Sequence, residues 1–360
     1  MEIKLKELNA LPVRTWHRLG VNGNTVETSA DDTLSYSVTR SALPDIVTET
    51  NAEELRCAEF RTAVGEEATE YIRRESNAGV RVRARRGYEV EKPVTARYSL
   101  RSGALLDDNI IFAEAGSSLT VVLIFDAFNG KPCFHGGSTR IIAENCATVN
   151  LIQIQTLNNA STHISDVSAI IGNGASVNVT QIELGGASAT VGCHLKLEGN
   201  TASARADTFY FGNGDRRLDF NYIARHLGDG TTSSLTASGA LFDRCDKTYR
   251  GTLDFIRGAA GSKGAEIENT LLFSPDARNR SAPLILCEEE DVEGSHAASI
   301  GKIDANKLYY MQSRGLSEVE AKRLLVTAQL ETVLKNVPGE EERERLRDYL
   351  SGRIKANALR

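Results

Sequence analysis

No stretch of this 360-residue chain is apolar over the ~20 residues that a membrane helix needs. The opening residues, MEIKLKELNALPVRTW, also lack the apolar core of a signal peptide, so the expected setting is the cytoplasm, with no membrane partner. Positive charge shows no excess either: 42 lysines and arginines stand against 48 acidic residues. The net charge is −6 and no basic stripe crosses the middle of the chain, which argues against nucleic acid as a partner. The six cysteines are scattered, without a CxxC or the spacing of a zinc or ferredoxin-type site, and free thiols are expected. A G-x-x-x-x-G-K-[ST] loop is missing, so any ATP chemistry belongs to a partner. No Ser-His-Asp arrangement has local support, and the chain is not expected to be an enzyme.

What is present, 41% hydrophobic and 25% charged residues, suits a globular protein with ample core. Residues 51–75 read as a helix with Leu55, Phe60, Val64 and Tyr71 near one face, interrupted by Gly65. Trp16 and His17, near the start, are expected to be structural. From Val80 the texture becomes alternating strand, with arginines on a solvated face.

From Gly116 a motif recurs: GSSLTVVLIF, CATVNLIQI from Cys146, GASVNVTQIEL from Gly174 and NTASARADTFYF from Asn200. Each is a small or polar turn followed by a strand, with Leu119, Val149, Val177 and Ser203 as matching positions. TSSLTASGALF and GAEIENTLLF continue it at Leu235 and Ile267. A period of roughly 30 residues without intervening helix predicts the coils of a parallel β-helix rather than a sandwich. A stack of coils has two ends to cap, and flanking helices could cap them. A polysaccharide-cleaving β-helix would need convergent carboxylates, and it fits poorly with 6% aromatics and no leader.

Towards the C-terminus, Asp304 opens a short helix and Gly315 turns the chain. Ser317 and Glu320 form a capping box for a helix with Ala321, Leu324, Leu325, Ala328 and Val333 along one face. Pro338-Gly339 ends it, and a last charged helix keeps Leu346, Tyr349, Leu350 and Ile354 as a narrow stripe. The expected organisation is a mixed region over 1–79, a β-helix over 80–303 and a helical region over 304–360.

The junction PLILCEEEDVEGSHAASIGKIDANKLYYMQSRG, from Pro283 to Gly315, holds His296 beside an acidic run that includes Glu293. Such a histidine could bind a soft or borderline metal, or could sit in a solvated turn. Cys287, close by, is an alternative thiolate or a small core hydrophobe. Cys193 shares its strand face with Val191, Leu195 and Leu197 and is expected in the core. Cys133 and His135, in KPCFHGG, read as a loop pair.

The run DVEGSHAASIG followed by LYYMQSRGLSEVEA resembles the SufB/SufD family of iron-sulfur cluster assembly scaffolds. Asp291, Val292, Ser295, His296, Ala298, Gly301, Tyr310, Ser313, Arg314, Gly315 and Ala321 carry the match. A turn at Tyr249-Arg250-Gly251, the run NTLLFSPDA and VEKPV are similar to further family elements, so the likeness spans roughly residues 88–336. It implies a mainly β fold, a right-handed parallel β-helix with helical flanks. It also implies a SufC-like ABC-type ATPase, docked on the C-terminal helix at Leu324, Leu325 and Ala328, that alone binds ATP. A second SufB/SufD-type subunit, or a second copy of the chain, completes the implied dimer. A transient iron-sulfur cluster is the implied cofactor, with His296 as first ligand candidate and Cys287 and Glu293 as weaker ones. A structural subunit that binds no cluster is the alternative. The chain departs from the pattern at Gly294, where SufD-type members often carry cysteine, and at SPDARNRSAP, which lacks the SufB-type cysteine.

Overall fold

The computed structural model describes residues 2–15, 17–50, 58–127, 129–302 and 305–358. Trp16, Cys57 and Asp304 therefore lie outside the described residues. An antiparallel hairpin, β1 (Glu2–Leu8) with β2 (Asn24–Ser29), opens the chain. Then come β3 (Ser35–Arg40), β4 (Val47–Glu49), α1 (Glu66–Arg74) and β5 (Arg81–Ala84).

The rest of the β structure is a parallel solenoid of about eight turns. Its strands are β6 (Val94–Ala113), β7 (Ser118–Ala127), β8 (Cys133–Ala143), β9 (Thr148–Thr156), β10 (Thr162–Ile171) and β11 (Ser176–Glu183). They continue as β12 (Ser188–Leu197), β13 (Ser203–Gly212), β14 (Arg217–His226), β15 (Thr232–Leu241), β16 (Asp246–Phe255), β17 (Ser262–Leu272), β18 (Arg278–Cys287) and β19 (Val292–Lys302). Each coil contributes two strands, and each strand pairs in parallel with the strand two later, so two sheets face each other. The repeat found in the sequence is one of these two strands.

Leu119, Val149 and Val177 do stack in register. The next positions in that column are Ala204, Ser233, Gly264 and Gly294, not Ser203, Leu235 and Ile267. One corner of every coil turns through a left-handed residue: Gly87, Gly116, Cys146, Gly174, Thr201, Gly230 and Gly261. Each donates its N–H to a carbonyl of the next coil, as in Gly116 to Asn145 and Gly174 to Asn200. The corner thus sets the phase that strand alternation leaves open.

Between the sheets lies one apolar core, including Leu119, Val149, Val177, Val191, Cys193, Leu195 and Leu197, all fully buried. The outer faces are apolar too, because each is covered. On one, β1, α1 and Val64 just before it bury Ile3, Leu5, Leu8, Val64, Ala68 and Ile72 against Leu106, Phe134 and Ile164. On the other, α3 (Glu318–Leu334) and α4 (Glu340–Ala358) bury Val326, Leu330, Leu334, Leu346 and Leu350 against Ile152, Ile182, Phe209 and Phe211. The helices cover faces, not the ends, which corrects the expectation of end caps.

Of the helix expected over 51–75, residues 51–57, Leu55 among them, lie outside the described residues, and over 58–75 only Glu66–Arg74 is helical. The N–H groups of Ala63 and Val64 and the Thr62 hydroxyl donate to the buried Asp166 carboxylate at 2.9, 2.9 and 2.8 Å. Those donors are spent on the solenoid, and with Gly65 at φ 134° the helix starts only at Glu66. The Ser317–Glu320 capping box forms as read, with Ser317 N–H on Glu320 Oε2 at 2.8 Å. Tyr249-Arg250-Gly251, read as a turn, lies mid-strand in β16.

Candidate functional site

The last coil decides the site. β18 pairs with β16 and β19 with β17, and among the described residues no strand lies on the outer side of either. Register places Gly294 beside Gly264, His296 beside Glu266 and Ala298 beside Glu268. A Cβ on Gly294 would sit 3.2 Å from Ile285 and Phe255, so that row points between the sheets. By alternation His296 shares this inward row, yet it is exposed because no further coil covers it. It stands at the mouth of the open end.

Glu293, one row out of phase, points to the opposite face and pairs with Lys263 at 2.7 Å, both well exposed. It does not share a site with His296 on this chain. Cys287, at the end of β18, is exposed rather than core, and its S–H donates to the Glu289 carbonyl at 2.9 Å. It lies beside Phe255. Among the described residues no three histidine, cysteine or carboxylate side chains form a metal-holding group.

Beneath His296 the interior is polar. Lys247 is fully buried and its ammonium bonds Glu268 Oε1, flanked by the Tyr210 and Tyr249 rings at 5.2 and 5.0 Å. Burial pushes its pKa down to about 8, against the pull of Glu268. Burial likewise works against the Glu268 carboxylate. The ammonium and hydrogen bonds outweigh it and hold that group below its ordinary value. Thr270 and Asn279 also donate to Glu268 Oε1, each at 3.1 Å. Glu266 lacks such support: burial, then the neighbouring Glu268, raise its pKa to about 7. A Cβ at Gly251 would overlap the Glu266 carboxylate, so glycine is required opposite it.

Cys133 and His135 are not a loop pair. Both lie on β8 and are buried, with Cys133 in the apolar core. His135 Nδ1 contacts His163 Nδ1 at 2.7 Å, and His135 Nε2 lies 3.1 Å from Asp107 Oδ1. Burial, outweighing Asp107, keeps His135 below its ordinary pKa, so it is neutral and fully hydrogen-bonded inside the solenoid. Sequence reasoning missed this row and the Lys247–Glu268 pair. The local pattern points the wrong way: in GAEIENT, Glu266 and Glu268 alternate with Ala265 and Ile267, yet the glutamates are buried and Ile267 is 39% exposed.

Of the residues proposed for partner contact, Leu324 is 55% exposed, Ala328 is exposed and Leu325 is half-buried. The buried face of α3 is instead Ala321, Val326, Leu330, Val333 and Leu334. Leu325 and Ala328 flank a cavity of about 450 Å³ against Thr270, Leu271 and Lys302. Among the described residues no helix is long and apolar enough to cross a membrane.

Residues 97–329 match the SufBD core domain of the SUF system for iron-sulfur cluster assembly. The chain is 25% identical over 283 residues to the iron-sulfur cluster assembly protein SufD of Bacillus subtilis, covering 78% of this chain and 65% of that protein. An iron-sulfur cluster assembly SufBD family protein of Mycobacterium leprae is 24% identical over 257 residues, 71% of this chain and 30% of its own length. Another from Mycobacterium bovis is 23% identical over 333 residues, 88% of this chain and 82% of its own length. The chain thus spans less than two thirds of the first two relatives. With the core domain matched across most of its solenoid, the chain belongs to the SufBD family of iron-sulfur cluster assembly proteins.

Proposed function

We propose that the chain is a scaffold subunit of a SUF-type complex that builds and transfers iron-sulfur clusters with a SufC-like ABC-type ATPase, which binds the ATP. The observation that carries this reading is the open last coil with His296 at its mouth. β18 and β19 expose edges of 10 and 11 residues. Uncovered edges of that length invite pairing, and a two-fold junction with a second SufBD-type chain closes both at once. Imidazole and thiolate suit iron and sulfide, and the chain brings one imidazole to the junction. The remaining ligands come from the facing subunit or from the bound sulfur. Leu324, with the exposed Tyr309 and Tyr310 on α2 (Ala305–Ser313), offers the ATPase an apolar patch.

The alternative, a structural subunit that holds no cluster, is favoured by Glu293 facing away from His296 and by the lack, among the described residues, of three grouped ligand side chains. Light scattering on the chain purified with its ATPase tests the assembly. Two SufBD-type chains per complex are expected, and Leu324→Asp is expected to weaken ATPase retention roughly tenfold, the loss of one anchor residue. A complex holding only one SufBD-type chain of any kind, or full retention by folded Leu324→Asp, would count against it.

A further inference from the structure

Between the α3–α4 turn and the outer face of β7, β9, β11 and β13 lies a cleft of about 510 Å³. Its floor is a row of side chains in parallel register, Thr120, Asn150, Asn178 and Arg205, one per coil and about 4.8 Å apart. The amides run one way. Asn178 Nδ2 donates to Asn150 Oδ1 at 3.0 Å, and Asn150 Nδ2 donates to Thr120 Oγ1 at 3.3 Å. Asn336, in the turn, ties the roof to the floor by donating to Thr180 Oγ1 at 3.0 Å and Asp207 Oδ2 at 3.2 Å.

Charged donors are in surplus here. Arg205, Lys335 and Arg343 line the cleft against a single carboxylate, Asp207. That carboxylate is already served: Arg205 Nε donates to its Oδ2 at 2.6 Å, beside the Asn336 bond. The terminal nitrogens of Arg205 stay uncommitted among the described residues. Arg343 gives Nε to the Val337 carbonyl at 2.8 Å and Nη1 to Glu340 at 3.0 Å, which leaves Nη2. Lys335 has no carboxylate partner among the described residues. An acceptor that is itself charged suits such donors best, because a charge-assisted hydrogen bond is about twice as strong as a neutral one. No aromatic ring lines the cleft among the described residues, so it offers no platform for a stacked base or other flat ring.

We propose that this cleft binds a compact oxyanion, a phosphate or a small dicarboxylate, between the guanidinium groups of Arg205 and Arg343 and the ammonium of Lys335. The bound anion joins the floor of the solenoid to the turn between the two C-terminal helices. The site does not involve His296 and stands whether or not the chain holds a cluster.

Calorimetry on the full chain at low ionic strength, with phosphate and malonate as separate titrants, is the test. One saturable site per chain is expected for at least one of the two, and which of them binds tells a phosphoryl from a carboxylate ligand. Lys335→Glu, and Asn178→Asp on the floor, should each weaken binding by roughly tenfold or more. Lys355→Glu, the same change of charge at an exposed position of α4 outside the cleft, should alter it by less than about twofold. No saturable binding of either anion at millimolar concentration overturns the proposal, and so does binding untouched by Lys335→Glu. Equal losses in folded Lys335→Glu and Lys355→Glu, or displacement by equimolar chloride, also overturn it, since both mark general surface attraction.

Discussion

Leu330→Asp is expected to strip the C-terminal helices from the solenoid. Leu330 is fully buried between α3 and the outer sheet face, among Ile152, Ile182, Phe209, Phe211, Leu346 and Leu350. A carboxylate there loses the apolar burial and has no cation to meet it, a combination that costs more than about 4 kcal/mol. The inner core does not include the helices, so the β signal in circular dichroism should persist while helical signal falls and a hydrophobic dye binds the bared face. Leu324→Asp, at an exposed position on the same helix, should change stability by less than about 0.5 kcal/mol. Equal unfolding midpoints for the two variants would contradict this packing.

Asp219→Ala is expected to cost roughly 3–5 kcal/mol, the usual result of leaving one member of a buried ion pair behind. Arg250 is fully buried and donates to Asp219 Oδ1 at 2.6 Å and Oδ2 at 3.3 Å. Asn9 donates to the same carboxylate at 2.6 Å, and Arg250 also donates to the Val21 carbonyl. One charged group therefore ties the N-terminal segment to the solenoid face. Removing it leaves a guanidinium without its counter-charge and loosens residues 9–21. Urea unfolding should show the loss, and limited proteolysis should cut that segment first. The double variant Asp219→Asn with Arg250→Met, which leaves no lone charge, should be markedly more stable than Asp219→Ala. If it is not, the pair is not what anchors the segment.

The solenoid was legible because small turns recur at a nearly constant interval, and Leu119, Val149 and Val177 share one column. The phase slipped beyond Val177 because coil lengths vary and both strand faces are apolar. Helices cover one outer face and the N-terminal segment the other, so alternation alone could not say which face points in. Thr201 and Cys146, rather than glycine, at two left-handed corners hid the better marker. The same ambiguity affects α3, whose sequence has apolar residues on more than one side: the face read from spacing includes the exposed Leu324 and leaves out the buried Leu330. At the site, the motif pointed to His296, but only register shows that Glu293 faces away and that Glu266 lies beside it. The Lys247–Glu268 pair joins different coils and strands, and no local spacing in the sequence connects them.

His296, at the open end of the solenoid, is proposed to hold part of a cluster shared with a facing subunit. The direct test is an anaerobic visible spectrum with iron and sulfide counts on the chain co-expressed with its ATPase, comparing wild type with His296→Ala. A sulfide-to-iron band in the wild type that fades, with matching loss of iron and sulfide, in an intact mutant complex is the predicted result. A complex that assembles but carries no iron or sulfide, or one whose content is untouched by His296→Ala, would contradict it.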